Sequence, residues 1–225
     1  MMSSSTSTSD STSTSTSTSS VPNPSMGILW FFVLTTIYFI IKYVMGAKGY
    51  MLYFVIYLFL LIGGEFFINF SLAKAMCGSA QLGPALFITF IPWIIIFGLL
   101  NVALFLFPGW KSPFSNTFGY GVTRLFGIND LLNKILKPQN TNSKDPNSVA
   151  LEHIYSDRSL LINEINPEKF DDFWKGMSSL FTSNAGDFKE KLHDLVRLKD
   201  IVAEYIWYML TGVLVTSVGY NYIVN

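Results

Sequence analysis

Four long apolar blocks constrain this chain more than any other feature. They run from about Gly27 to Met45, Tyr50 to Phe70, Ala85 to Phe107 and Tyr205 to Val224. The only charges inside them are Lys42, near one end of the first, and Glu65, in the second. A helix needs about 20 residues to cross a hydrocarbon core of about 30 Å, and each block meets that length. The blocks are continuously apolar rather than alternating, which argues against barrel strands. In lipid a helix also satisfies its own backbone hydrogen bonds. The expected fold class is an all-α integral membrane protein with four transmembrane helices and a helical cytosolic segment between the third and fourth spans. Pro92 is expected to kink the third span.

Composition supports lipid as the solvent. Charged residues make up 13% of the chain, against about 25% in soluble domains. Lys+Arg and Asp+Glu balance at 15 each, so no basic excess points to nucleic acid. A lone cysteine, Cys77, rules out an internal disulfide and a Cys-based structural metal site.

The organisation follows from these blocks. Residues 1–26 form a Ser/Thr-rich tail, with Asp10 the only charge. It cannot bury apolar surface and is expected to be disordered. It has no Lys or Arg, unlike the basic start of a signal peptide. Residues 27–107 hold three transmembrane helices, with a tight turn at Gly46–Gly49. Residues 108–148 are a membrane-surface segment and polar linker. Residues 149–204 are a helical soluble region, and 205–225 are the fourth transmembrane helix. Lys42 and Lys48 flank the first turn, and Lys111, Arg124, Lys134 and Lys137 follow the third span, while the opposite side has only Lys74. This bias puts residues 108–204 in the cytosol and both ends of the chain across the membrane.

Within the soluble part, an amphipathic helix is expected near residues 128–136, lying on the lipid surface. Asn166-Pro167 reads as a helix start, with Asn capping and Pro in the first turn. Phe170, Phe173, Trp174, Met177, Leu180 and Phe181 follow at helical spacing. Phe188, Leu192, Leu195, Val202 and Ile206 trace a further apolar seam, interrupted by Lys199. Nothing breaks that pattern before the fourth span, so residues 186–224 are expected to form one rod of roughly 58 Å. About half would project from the membrane, its seam covered by the 170–181 helix or by a partner protein.

Chemistry-bearing motifs are sparse. Thr117-Phe118-Gly119-Tyr120-Gly121 differs by one residue from a carbonyl-lined potassium filter, TVGYG. A filter needs a pore helix before it and a span after it. Pro108 and Pro113 oppose the first, and Arg124, Asp130 and Lys134 oppose the second. The glycines are therefore expected to make tight turns. Glu65 follows Gly63-Gly64 and precedes Asn69, which places it at the interface; inside the membrane it would suggest a proton or ion route. His153 and His193 are expected to be solvated. The Asn69-Phe70-Ser71 sequon abuts a span. Ser, His and Asp occur without a nucleophile elbow. No catalytic, cofactor-binding or metal-ligating residue is assigned, and no enzyme activity is expected.

Two stretches carry a resemblance. One is Phe107-Pro108-Gly109-Trp110-Lys111-Ser112-Pro113-Phe114-Ser115-Asn116-Thr117-Phe118-Gly119-Tyr120. The other is Glu204-Tyr205-Ile206-Trp207-Tyr208-Met209-Leu210-Thr211-Gly212, followed by Ser217-Val218-Gly219-Tyr220-Asn221-Tyr222. Together they resemble a family of membrane and minor capsid proteins of large algal and protist DNA viruses. The resemblance covers about half the chain, mostly from the third span onward. It implies a structural virion protein of an internal membrane derived from host endomembrane, in contact with capsid or other minor capsid proteins, with a homo-oligomer as an option. It implies no catalytic residues. The alternative read from Glu65 and the near-filter sequence is a small ion channel or viroporin.

The topology is directly testable. Cysteines placed at Ser4 and Ser143 in a Cys77→Ser background should react with a membrane-impermeant thiol reagent from opposite sides of sealed vesicles. Labelling of both from one side would rule out three spans between them.

Overall fold

The computed structural model describes residues 25–46, 50–138 and 145–224. The Ser/Thr-rich tail and the central parts of the first turn and the polar linker lie outside the described residues. The rest is helical, with no strand among the described residues and only an isolated bridge between Leu136 and Phe181.

Among the described residues, four helices are long and apolar enough to cross a membrane. The first span is Ser25–Met45, the second Tyr50–Cys77 and the third Leu82–Leu106. The fourth is the membrane half of an unbroken 36-residue helix, Lys189–Val224. The chain is thus an all-α membrane protein. Lipid offers no hydrophobic drive between helices, so packing and interhelical hydrogen bonds must hold the bundle. Thr35 and Tyr57 share a hydrogen bond of 3.0 Å between the first two spans, and Thr36 and Tyr205 share one of 3.0 Å to the long helix. Asn69 Nδ2 donates to Thr89 Oγ1 at 2.9 Å between the second and third, so the sequon asparagine is buried.

Aromatic rings fill the bundle centre. Tyr38 stacks on Tyr57 with centroids 4.6 Å apart, and Phe97 meets Tyr208 edge-on at 5.5 Å. Two glycines let these rings in: Trp30 lies against Gly64, and Phe31, fully buried, lies against Gly212. Outward-facing Phe59, Phe67 and Phe105 are 79%, 68% and 85% exposed, which suits a lipid surround and not water. Pro92 opens a stretch of wider π-helical turns, Pro92–Phe97, inside the third span. That widening accommodates the missing backbone donor and the ring's clash with the preceding turn.

The remaining described residues form a head around the first part of the long helix. Its core joins Ile128, Leu132, Ile135, Ile162, Ile165, Leu192 and Val196, all at most 1% exposed. This corrects the expected surface position of residues 128–136. The helix Ile128–Ile135 exists, but its apolar face is buried in the head. An amphipathic pattern fits either lipid or a protein core. Here the helices Pro146–Ser156 and Ser159–Glu164, together with the long helix, supply an apolar partner.

The expected rod is present as the continuous helix Lys189–Val224, entered by a tighter turn at Ala185–Phe188, and what differs is the cover of its seam. Leu192, Leu195 and Val196 are buried by the chain's own head, and not by a 170–181 hairpin alone. That stretch is broken into Pro167–Lys169, Phe170–Gly176 and Ser178–Leu180. The Asn166 cap is present, its Oδ1 accepting from Lys169 N at 2.9 Å. Phe170, Phe173, Trp174 and Met177 pack on the head core, with Trp174 and Phe181 rings 4.6 Å apart. Backbone bonds from Lys137 N to the Leu180 carbonyl (2.9 Å) and from Thr182 N to the Ile135 carbonyl (2.8 Å) clip the two ends of the head together.

The two kinds of membrane glycine predict opposite mutational effects. A methyl at Gly212 would enter the space of the Phe31 ring, whereas a methyl at Gly63 would meet nothing. Gly212→Ala should destabilise by about 1–3 kcal/mol through overpacking. Gly63→Ala should be neutral or stabilise by up to about 1 kcal/mol through helix propensity. Thermal unfolding of both variants in one detergent is the check; equal behaviour would contradict this packing.

Candidate functional site

Ionised groups gather where the head meets the bundle. The long helix carries Arg197, Lys199, Asp200 and Glu204 immediately before its uncharged run begins at Tyr205. Charge and lipid are incompatible, so these residues mark the shoulder of the molecule. Lys42, at the end of the first span, places Nζ 2.6 and 2.7 Å from the two Glu204 carboxylate oxygens. Arg197 donates to the Tyr43 carbonyl and holds its guanidinium 5.5 Å from the Tyr43 ring centroid. Lys111, just past the third span, pairs with Asp200 at 2.8 Å. Two of these contacts tie the head-bearing helix to the end of the first span, and the third ties it to the segment just past the third span.

Lys199 is the unusual member. It is only 2% exposed, and its ammonium donates to the Ile162 carbonyl. Burial pushes its pKa down to about 8, against the opposing pull of Asp200 and Glu164. Sequence reasoning noted Lys199 only as a break in an apolar seam. That break was the available signal, because a cation inside a buried face needs a reason to be there.

Gly119 packs directly on this residue. A Cβ there would lie 2.5 Å from the Lys199 carbonyl oxygen. This corrects the expected tight turns at Thr117–Gly121. Ser115–Gly119 and Tyr120–Leu125 are helical, and Gly119 has ordinary helical φ of −60°. The glycine serves close helix crossing instead, and the left-handed turn falls at Gly127, with φ of +83°. Ser115, Gly119 and Thr123 form the face toward the long helix, while Phe118, Leu125 and Phe126 project outward.

A cleft of about 260 Å³ opens beside Lys199, with Pro108, Ser112, Asn116, Asn163 and Lys169 in its wall. The Asn163 side-chain oxygen is buried there without a hydrogen-bond partner among the described residues. Phe107 and Trp110 stack nearby at 5.4 Å and stay about half exposed.

Glu65 lies elsewhere, and it too needs correction. It does not reach the surface. It is 2% exposed, between the second span and the first turn of the first span. Gly27 makes room for it, since a Cβ there would sit 3.0 Å from Glu65 Oε2. Among the described residues, Oε1 has no hydrogen-bond partner, and neither has the buried Nε1 of Trp30, which packs against the preceding Gly64. His193 is also less solvated than expected, its ring meeting Phe170 edge-on at 4.9 Å. His153 is exposed. Among the described residues, no group of three or more His, Cys, Asp or Glu side chains is arranged to hold a metal ion.

Fold and site define a membrane protein with a four-helix bundle and a helical head joined by a charged shoulder. No family model, curated protein or solved structure matches the chain.

Lys199 gives this shoulder a pH signature. Its folded pKa of about 8 lies below the ordinary 10.5. Between those values the unfolded chain holds the proton and the folded chain releases it, so raising the pH favours the folded state. Unfolding temperature should therefore rise between pH 8 and 10.5 relative to a Lys199→Met variant. A wild-type profile parallel to that of the variant would contradict the burial.

Proposed function

We propose that the chain is a structural membrane protein that holds its head in fixed orientation on the cytosolic face of a bilayer. In this reading it is a minor capsid component of a virion, linking an internal membrane to the icosahedral shell. The observation that carries the proposal is the single helix Lys189–Val224, buried by the head along its first part and by aromatic rings along its second. Such a helix transmits position without a hinge, which is what a spacer between membrane and shell requires. The outward Phe118, Leu125 and Phe126, beside Arg124, support contact of the head's base with lipid headgroups. The partner-facing surface is then the part of the head away from the membrane.

A second reading, a small ion channel or viroporin, is favoured by Glu65, whose buried Oε1 lacks a partner. The near-filter sequence lends it no support, because its residues are helical and Gly119 is pressed against Lys199. Conductance of the purified protein in planar bilayers, abolished by Glu65→Gln, would favour this reading over the structural one.

The structural proposal is tested in particles. The protein should be present in purified virions and should co-purify with capsid proteins after gentle detergent treatment. Val196 is 1% exposed within the head. Val196→Pro should cost about 3 kcal/mol or more by removing a backbone bond and adding a clash. The spans should still insert while capsid attachment falls. Unchanged attachment and particle yield would remove the head-bearing helix as the link.

A further inference from the structure

The cleft at the shoulder has a composition that neither the fold nor the structural role requires. Its ionisable wall comprises Lys111, Lys169 and Lys199 against Glu168 and Asp200, leaving one positive charge in excess. Lys111 and Asp200 neutralise each other at 2.8 Å. Lys199 forms no ion pair within the described residues, and its one hydrogen bond goes to the Ile162 carbonyl. An ammonium has three donors, and burying it with the Asp200 and Glu164 carboxylates near but not paired to it works against stability. A methionine would fill the same volume without that cost. The cleft therefore holds a cation at the expense of stability, beside donors from Asn116 and Ser112.

Position narrows the ligand. Pro108 and Gly109 line the cleft directly after the third span ends at Leu106. The half-exposed Phe107–Trp110 stack beside them is the kind of aromatic pair found at headgroup depth. At that depth the abundant anion is phosphate.

We propose that this cleft binds a phosphate group, held by the ammonium groups of Lys199 and Lys169 and by the amide and hydroxyl donors of Asn116 and Ser112. The source is either an anionic lipid headgroup or a soluble phosphate; the shared chemistry is the tetrahedral anion. The inference rests on the membrane fold and not on a capsid role, so either can fail without the other.

The test uses the full chain in phosphatidylcholine nanodiscs, with thermal unfolding as the readout. Three additions are compared: phosphatidic acid in the disc, oleate in the disc, and inorganic phosphate in the buffer. Wild type should unfold several degrees higher with phosphatidic acid than with phosphatidylcholine alone, and Lys199→Met should lose that shift. Oleate should give wild type and variant the same response. A shift with inorganic phosphate as large as with phosphatidic acid would identify the soluble source, and a shift with the lipid alone would identify the headgroup. Lys169 is exposed, so Lys169→Gln leaves the core intact and should at least halve the shift, even if Lys199→Met folds poorly. The proposal is overturned if wild type shows no shift with either phosphate source. It is equally overturned if both variants shift as wild type does, or if oleate reproduces the Lys199-dependent shift.

Discussion

The helix Lys189–Val224 is the element on which the rest of the structure depends. At 1.5 Å per residue it spans about 54 Å, more than a hydrocarbon core and less than a core plus a full domain. Its membrane half lies among Phe31, Tyr38 and Phe97, and its outer half lies among Ile128, Leu132 and Ile162. A backbone that satisfies its own hydrogen bonds can pass from lipid to water without interruption. Two apolar cores of different chemistry thereby share one rigid member. The chain has no proline after Pro167 and no glycine between Gly186 and Gly212, so nothing in this stretch offers a hinge.

The shoulder is where that continuity is most demanding. A helix leaving lipid must exchange apolar neighbours for polar ones over a short stretch, here about two turns. Here the exchange falls between Arg197 and Glu204, and each charge finds a partner from another element. Lys42 closes the first span onto Glu204, and Lys111 closes the third onto Asp200. These pairs keep side-chain exposures of 17–27%, so they are less screened than surface pairs, which contribute about 0–1 kcal/mol. Lys199 and Glu65 are different. Both are 2% exposed and neither is in an ion pair among the described residues, one in the head's base and one inside the bundle. Retaining such groups works against stability, because a buried charge loses its hydration.

The glycines show how local sequence and tertiary packing diverge. Gly119 lies in a sequence that reads as a filter or a turn, yet its φ is helical and the missing side chain serves a crossing with Lys199. Gly64 and Gly212 accept indole and phenyl rings in the same way. Glycine permits both a turn and a close approach, and a sequence alone cannot say which is in use. Gly127 is a position where the left-handed backbone is in fact used, as it is at Gly46 and Gly78.

What the sequence determined by itself was the set of helices that can enter lipid, because length and absence of charge are sums over neighbouring residues. It also determined the continuity of the fourth span with the region before it, since helix breakers are local, and the Asn166 cap, since capping acts over three residues. The tertiary structure decided everything that depends on which apolar face finds which partner. Ile128–Ile135 turned into the head rather than onto lipid because the long helix and residues 146–165 offered it a dry surface. Phe170–Phe181 broke into short pieces because packing on that core outweighed the regular periodicity. Glu65 and Lys199 became buried because Gly27 and the 108–125 segment close over them. Amphipathicity says that a face must be covered, and only contacts between distant parts of the chain say by what.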